Sequence, residues 1–414
     1  VIRLRVWANA RPMGWLGHAA ADFFFEYEPE WLAHPGAFPL APQFALAAQR
    51  YTGPLVRHFF DNLLPEGEAL QDIMAALQLR NASRFDVLGR LGQELPGVLA
   101  LLPEGAQPAR LQSYRPLPLP TLSARLACRQ ALPLLVSNQA ATMSLAGAQD
   151  KIGLRLDEAR LQLYDSVGPS PTTHILKPDT RQARYAPSAI NEYACMRLAH
   201  ALKLPVPPVW LLRVLEAAYV VRRYDRALVA GDIVALHQID GCQLLGQGAG
   251  WKYERSGGLV SLPRLAQALR DVRVPGADLL QFQRWVMFNY LIGNADAHAK
   301  NLSLLVSDRG YRLAPCTTCC ACAPMATQGS PCSSVLRKPS MPWASTRGRP
   351  FAPTAAFASP RRSKPSAPWP PPCFPHGRRC ALPSMPGTRP RLQSRRCWLP
   401  WSRYSSPTPP TPCP

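Results

Sequence analysis

An α+β fold is predicted by the order of segments along the chain, with two lobes preceded by a small α/β subdomain. Three observations carry the prediction. Strand-like pieces dominate from about residue 140 to 240, interrupted by one amphipathic helix. From about residue 260 the apolar spacing turns helical. Between the two stands a short polar stretch, residues 237–243, placed where a linker between lobes would run.

Residues 1–105 form the N-terminal subdomain. They alternate strand-like runs at 2–7 (IRLRVW) and 22–27 (DFFFEY) with helical ones such as 68–79. The breaker-rich stretch 103–108 (PEGAQP) marks its end. Residues 106–240 make the first lobe, with strands at 152–156, 174–177 and 218–223. Its helix at 190–204 is stopped by Pro205, Pro207 and Pro208. Residues 241–315 are a partial helical second lobe, whose apolar spacing includes Phe282, Trp285, Phe288 and Ile292. Residues 316–414 have no readable period and are expected to be a low-complexity, disordered tail.

Charge separates this tail from the body. The chain carries +21 overall, but all 26 acidic residues lie at or before Pro315, against 33 Lys and Arg, a balance of +7. Beyond Pro315 there are 14 basic residues, 9 Cys and 22 Pro, and no acid at all. The body is therefore an ordinary globular composition, and the tail is not. Cys128, Cys195 and Cys242 are far apart in sequence, suggesting no disulfide framework and a reducing compartment. No apolar run approaches a membrane span and no signal pattern opens the chain, so a cytoplasmic protein is expected.

The chemistry-bearing residues come in a definite order. Ser144-Leu145-Ala146-Gly147-Ala148-Gln149-Asp150-Lys151 lies just before a strand. Small residues there let backbone N–H groups approach phosphate oxygens, although an ordinary turn into a strand looks the same. Lys177, at the end of the next strand, either holds transferring phosphates or simply snorkels. Glu192, early in the following helix, either pairs with Lys177 or favours the helix N-terminus. Arg222-Arg223-Tyr224-Asp225-Arg226 ends a further strand, and the linker follows. Then comes Gly293-Asn294-Ala295-Asp296-Ala297-His298-Ala299-Lys300-Asn301, with Asp and Asn five positions apart. In a phosphoryl-transfer loop of that spacing the Asp accepts the hydroxyl proton and the Asn holds a metal ion. His298 is read as shaping the loop or facing phosphate, rather than ligating metal. Each piece is common alone; the order loop, lysine, helix glutamate, linker, Asp-to-Asn is that of a two-lobed kinase.

Together these motifs resemble the HipA family of serine/threonine-protein kinase toxins of type II toxin–antitoxin systems. The stretch Phe59-Phe60-Asp61-Asn62-Leu63-Leu64-Pro65-Glu66 is similar to that family's N-terminal signature, and the likeness runs from residue 1 to about 315. The resemblance implies that Ser144 is autophosphorylated and that Ala146, Gly147, Ala148, Gln149, Asp150 and Lys151 form the phosphate loop. It implies further that Lys177 contacts ATP, that Ile239, Asp240 and Gly241 lie at the adenine hinge, and that His298, Lys300 and Asn301 face the nucleotide. Asp296 would be the catalytic base and Asn301 a magnesium ligand, with ATP and Mg2+ as cofactors. Ile239 departs from the family, in which an acidic residue is common there. The partners implied are a helix-turn-helix antitoxin of the HipB type, through which DNA is reached only indirectly, and a protein substrate. Known targets of the family include aminoacyl-tRNA synthetases.

After Tyr311-Arg312-Leu313-Ala314-Pro315 the family continues with Tyr-Asp, whose Asp is the second magnesium ligand. This chain reads Cys316-Thr317-Thr318-Cys319-Cys320 instead. Taking the third base of each codon from Pro315 with the first two of the next yields NUG, YAC, NAC, NUG, YUG. That is compatible with Leu-Tyr-Asp-Leu-Leu, and a one-base frameshift near codon 315 is therefore expected behind the acid-free tail. The expected function is a HipA-like kinase, inactive as the chain stands because that Asp and most second-lobe helices are missing. The alternative is a non-catalytic module that binds antitoxin or ATP. Two further readings concern the tail: Cys316, Cys319, Cys320 and Cys322 as a soft-metal site, and a basic nucleic-acid binder with Trp369, Trp398 and Trp401 stacking.

Overall fold

The first sheet takes its strands from both ends of the N-terminal region. In the computed structural model, which describes residues 2–19, 22–79, 81–108, 112–129, 132–136, 144–147, 149–181, 187–214 and 216–321, it contains β1 (Ile2–Ala8), β2 (Arg11–Ala19), β3 (Asp22–Tyr27), β4 (Arg50–Thr52) and β5 (Leu99–Pro103). The strand order is β4-β3-β2-β1-β5, antiparallel throughout. Phe23, Phe24 and Phe25 are all buried, so β3 is covered on both faces. Helices α1 (Pro29–Leu32), α2 (Pro54–Asp61), α3 (Gly67–Ala76) and α4 (Arg84–Leu91) lie between β3 and β5 in the chain. Ser83 and Asp86 close a capping box on α4. The helix expected over 68–79 ends at Ala76, where Gln78 turns to positive φ.

The second sheet holds β6 (Tyr114–Pro116), β7 (Ile152–Asp157), β8 (Gln162–Ser166), β9 (His174–Pro178), β10 (Val209–Arg213) and β11 (Ala217–Arg222), in the order β10-β11-β9-β7-β8-β6. Helices α5 (Leu119–Ala127) and α6 (Ser188–Ala201) belong to the same stretch of chain. Strand β9 is central, which fixes Lys177 by pairing on both sides: Tyr219 is its partner on β11, and Leu176 faces Ile152 on β7. A ribbon of β12 (Arg226–Val229) and β13 (Asp232–Ala235) follows.

Residues 237–240, expected to be part of a linker, are instead the strand β14 (His237–Asp240), which runs into α7 (Gly241–Leu244). Its partner is β15 (Ser303–Ser307), itself paired with β16 (Gly310–Leu313). Strands at this point also depart from the purely helical pattern expected beyond 260. That pattern holds for α8 (Leu262–Asp271) and α9 (Gly276–Leu291). The reason is mutual burial: Ile239 and Leu304 face each other in the ladder and are both fully buried.

Three clusters form the core among the described residues. The largest runs from the first sheet through α6, β14 and α9 to Cys316 and Cys319, a smaller one lies under the second sheet, and a third holds Trp7, Ala100 and Leu102. A buried polar cluster joins the N-terminal region to the second sheet. Arg223 and Arg226 both meet Glu94 at 3.1 Å and lie 2.8 and 2.9 Å from Asp225. Burial alone would raise the Asp225 carboxyl, but the two guanidinium groups outweigh it and hold it well below the usual carboxylate range.

Three expectations need correcting or placing. Cys195 and Cys242 are free, buried thiols, so the three body cysteines are not joined to one another. Residues 316–321, expected to lack structure, pack against the body, because their main chain finds partners. Cys316 N donates to Pro205 O at 2.9 Å, and Asn191 exchanges two hydrogen bonds with Ala321. Ala148, Cys322 and the tryptophans of the tail lie outside the described residues. No helix among the described residues is long and apolar enough to cross a membrane.

Candidate functional site

Residues from three regions of the chain line one cleft of about 820 Å³. On one side is the loop before β7. Gly147 sits at φ 106°, a conformation glycine adopts at little cost, and a Cβ there would fall 2.8 Å from Lys151 Nζ. The loop thus closes over Lys151, whose Nζ donates to Ala146 O at 2.6 Å. Beside it Lys177 of β9 meets Glu192 of α6 at 2.7 Å, with side chains 10% and 6% exposed.

Across the cleft, α9 ends at Leu291, Ile292 caps it, and Gly293, at φ 65°, turns the chain into the next loop. Asn294 steers that loop: its Oδ1 accepts from Asp296 N at 3.1 Å, while its Nδ2 is held by Asn289. Asn301 Nδ2 donates to Asp296 O at 2.7 Å, so the two residues singled out by their spacing are locked in one turn. The Asp296 carboxylate accepts a hydrogen bond from Tyr253 Oη at 2.6 Å, and the Tyr253 ring stands edge-on to His298. This carboxylate can therefore hold a hydroxyl group. Burial lowers the His298 imidazole below its ordinary value despite nearby Asp296, which favours the neutral ring.

The cleft gathers Ala146, Gly147, Gln149, Lys151, Lys177, Asp240, Asp296, His298, Lys300 and Asn301. It does not gather Asp150, Ile239, Gly241 or Ser144. Asp150 turns to Arg181 at 2.7 Å, and Ile239 is wholly buried in the core. A Cβ on Gly241 would fall 2.6 Å from Ala299 O. Ser144 is fully buried, with Oγ donating to Leu63 O at 2.6 Å and N to Glu94 O at 2.8 Å. Lys300 lines the cleft, but its ammonium is bound to protein oxygens: Asp240 Oδ2 at 2.6 Å and both oxygens of Asn62 at 2.9 and 3.0 Å. Burial would lower Lys300; Asp240 and Glu66 outweigh it and keep the group protonated.

Sequence reasoning passed over Asn62, Glu66, Lys252 and Tyr253. The first two lay in a stretch recognised only as a signature, and the last two in residues 249–256, which carry no period. Thr317, Thr318 and Cys320 also reach the cleft, at the place where a second metal carboxylate was expected. Among the described residues no group of three or more His, Cys, Asp or Glu could hold a metal ion; Cys322, the fourth cysteine of the soft-metal reading, lies outside them.

Lys151 gives the cleft a pH dependence. Burial, reinforced by the Lys177 ammonium, brings it down to about 7. An unfolded lysine titrates near ~10.4, so between these values the unfolded chain binds more protons and this group's contribution to stability rises with pH. A phosphate placed in the loop reverses the preference. Calorimetry of Mg-ATP binding at pH 8, in buffers of different ionisation enthalpy, should show uptake of up to about one proton. Uptake that persists unchanged in Lys151→Met would assign the proton elsewhere.

Comparisons with known proteins agree with one another. The family model described as the HipA N-terminal domain matches residues 4–102, and that of the HipA-like C-terminal domain matches residues 143–338, past Pro315. "Putative kinase Y4mE" of Sinorhizobium fredii is 36% identical over 321 residues, which are 75% of this chain and 75% of that protein. "Serine/threonine-protein kinase toxin HipA" of Shewanella oneidensis is 30% identical over 311 residues, 72% of this chain and 70% of that protein. Among solved structures, the Shewanella oneidensis complex of HipA, HipB and operator DNA contains a chain that superposes with a TM-score of 0.63 at 26% identity, covering 77% of this chain and 76% of that one.

Proposed function

Because the chain belongs to the HipA family of serine/threonine-protein kinase toxins, we propose that its cleft is built to transfer the γ-phosphate of ATP to a Ser or Thr hydroxyl of a protein. The observation that carries this reading is the Lys177–Glu192 pair on one side of a single cleft, with Asp296 and Asn301 locked together on the other. Lys177 and the backbone of the Gly147 loop would hold phosphate oxygens, and Asp296 would orient the acceptor hydroxyl and take its proton. Bound magnesium would neutralise charge on the phosphates, with Asn301 as its ligand. The residues present fit the phosphates of ATP better than they fit the metal. Thr317, Thr318 and Cys320, on the wall where a second carboxylate was expected, cannot supply one.

That wall favours a second reading, in which this chain binds nucleotide or antitoxin without turnover. The partner proposed is a helix-turn-helix antitoxin of the HipB type, supported by the Shewanella oneidensis assembly. An aminoacyl-tRNA synthetase is the substrate class to try first, and a cytoplasmic location is part of the same reading. Titration of the full chain with a fluorescent ATP analogue and Mg2+ tests what both readings share. A dissociation constant in the ~1 μM–1 mM range is expected, weakened in Lys177→Met. No binding at millimolar nucleotide would remove the kinase reading.

A further inference from the structure

We infer that the segment Asn62–Glu66 of the N-terminal region is a clamp that sets the separation of the phosphate loop and the catalytic loop; this rests on the kinase reading of the cleft. Five consecutive residues reach both loops. Toward the phosphate loop, Leu63 O accepts from Ser144 Oγ at 2.6 Å, Glu66 N donates to Gly147 O at 3.3 Å, and Pro65 forms a parallel bridge with Gly147. Toward the catalytic loop, Asn62 receives Lys300 Nζ on its main-chain and side-chain oxygens. Glu66 binds Lys252 at 2.7 Å and lies 3.7 Å from Lys300. Lys252 in turn accepts from Ala299 N at 3.1 Å through its carbonyl.

The clamp is itself immobilised. Asn62 is 1% exposed and its Nδ2 donates to His58 O and Gln247 O, both at 2.8 Å, which leaves Oδ1 aimed at Lys300. Leu63 and Leu64 are buried in the larger core. Burial would raise the Glu66 carboxyl, but Lys300 and Lys252 outweigh it and hold Glu66 ionised. Phosphoryl transfer tolerates little error in the distance between donor and acceptor groups, so a rigid piece bonded to both sides is a positioning element. Asn62 and Glu66 are positioning residues in this sense; they act through Lys300 and Lys252.

Hydrogen–deuterium exchange on the full chain tests this without nucleotide, comparing Glu66→Ala, Glu66→Gln and Ser144→Ala. Glu66→Ala should raise exchange about tenfold in peptides covering the catalytic loop and also in those covering 144–151. Ser144→Ala, which removes the bond to Leu63, should loosen the catalytic loop in turn, since coupling between two sites is reciprocal. Glu66→Gln keeps an oxygen for Lys252 and should restore exchange to within about twofold of the parent. Loosening confined to the loop beside each substitution overturns the clamp. So does uniform loosening that reaches the first sheet, which would mark Glu66 as packing alone. Reciprocal loosening in a chain that binds no Mg-ATP analogue would keep the clamp and remove the kinase reading.

Discussion

Incubated with Mg-ATP, this chain should phosphorylate neither Ser144 nor an added protein at more than about a hundredth of the rate of a frame-restored version. A preorganised group facing the charge that develops in transfer is worth ~10²–10³ in rate, and a metal carboxylate does comparable work. Here the wall that should carry it offers Thr317, Thr318 and Cys320. Helix α9 exposes Leu280, Met287 and Leu291 at 57, 62 and 76%, an apolar stripe at helical spacing. Self-phosphorylation faces a further obstacle, since Ser144 must leave Leu63 to reach any phosphate. Radiolabel transfer from ATP measures the rate, with Asp296→Asn as control. Transfer by the unaltered chain that is rapid and abolished in the control would refute the prediction. The proposed frameshift has its own test in the coding DNA between codons 305 and 330. Bases that forbid an Asp codon in the shifted frame would leave a kinase decayed by other means.

What the sequence revealed, and what it hid, follows from the range of each interaction. The turn joining Asp296 and Asn301 was legible because its bonds are local: Asn301 reaches Asp296 five residues back. The Lys177–Glu192 pair was legible because a strand and the next helix place the two 15 positions apart. Strand β14 was misread as linker because its partner lies beyond three helices, α7 to α9, and polar alternation over four residues does not announce a strand. The role of Asn62 could not be read at all, since Lys300 stands 238 positions away. Residues 316–321 were hidden for another reason. Part of their anchorage is main-chain hydrogen bonding, which every sequence can make and none displays, and the rest is burial of Cys316 and Cys319 in a core built from distant segments.

Glu192→Ala should destabilise the protein strongly, and pairing it with a second substitution separates its structural from its functional role. Removing Glu192 leaves the Lys177 ammonium, 10% exposed, with the Tyr219 ring 5.6 Å away. Breaking a buried pair by deleting one partner costs ~3–5 kcal/mol, and since both residues line the cleft, where water can approach, a loss near about 3 kcal/mol is expected. Replacing both, as in Lys177→Met with Glu192→Leu, removes the orphaned charge and should recover most of that stability. Nucleotide affinity should not recover with it, because the charged phosphate contact, worth ~1.5–3 kcal/mol, is gone, which is tenfold or more in dissociation constant. Denaturant unfolding and fluorescent-nucleotide titration of the three proteins decide the matter. If Glu192→Ala is neutral, water in the cleft already screens the pair. If the double variant binds nucleotide as tightly as the parent, Lys177 holds no phosphate, and the cleft takes its ligand in another way.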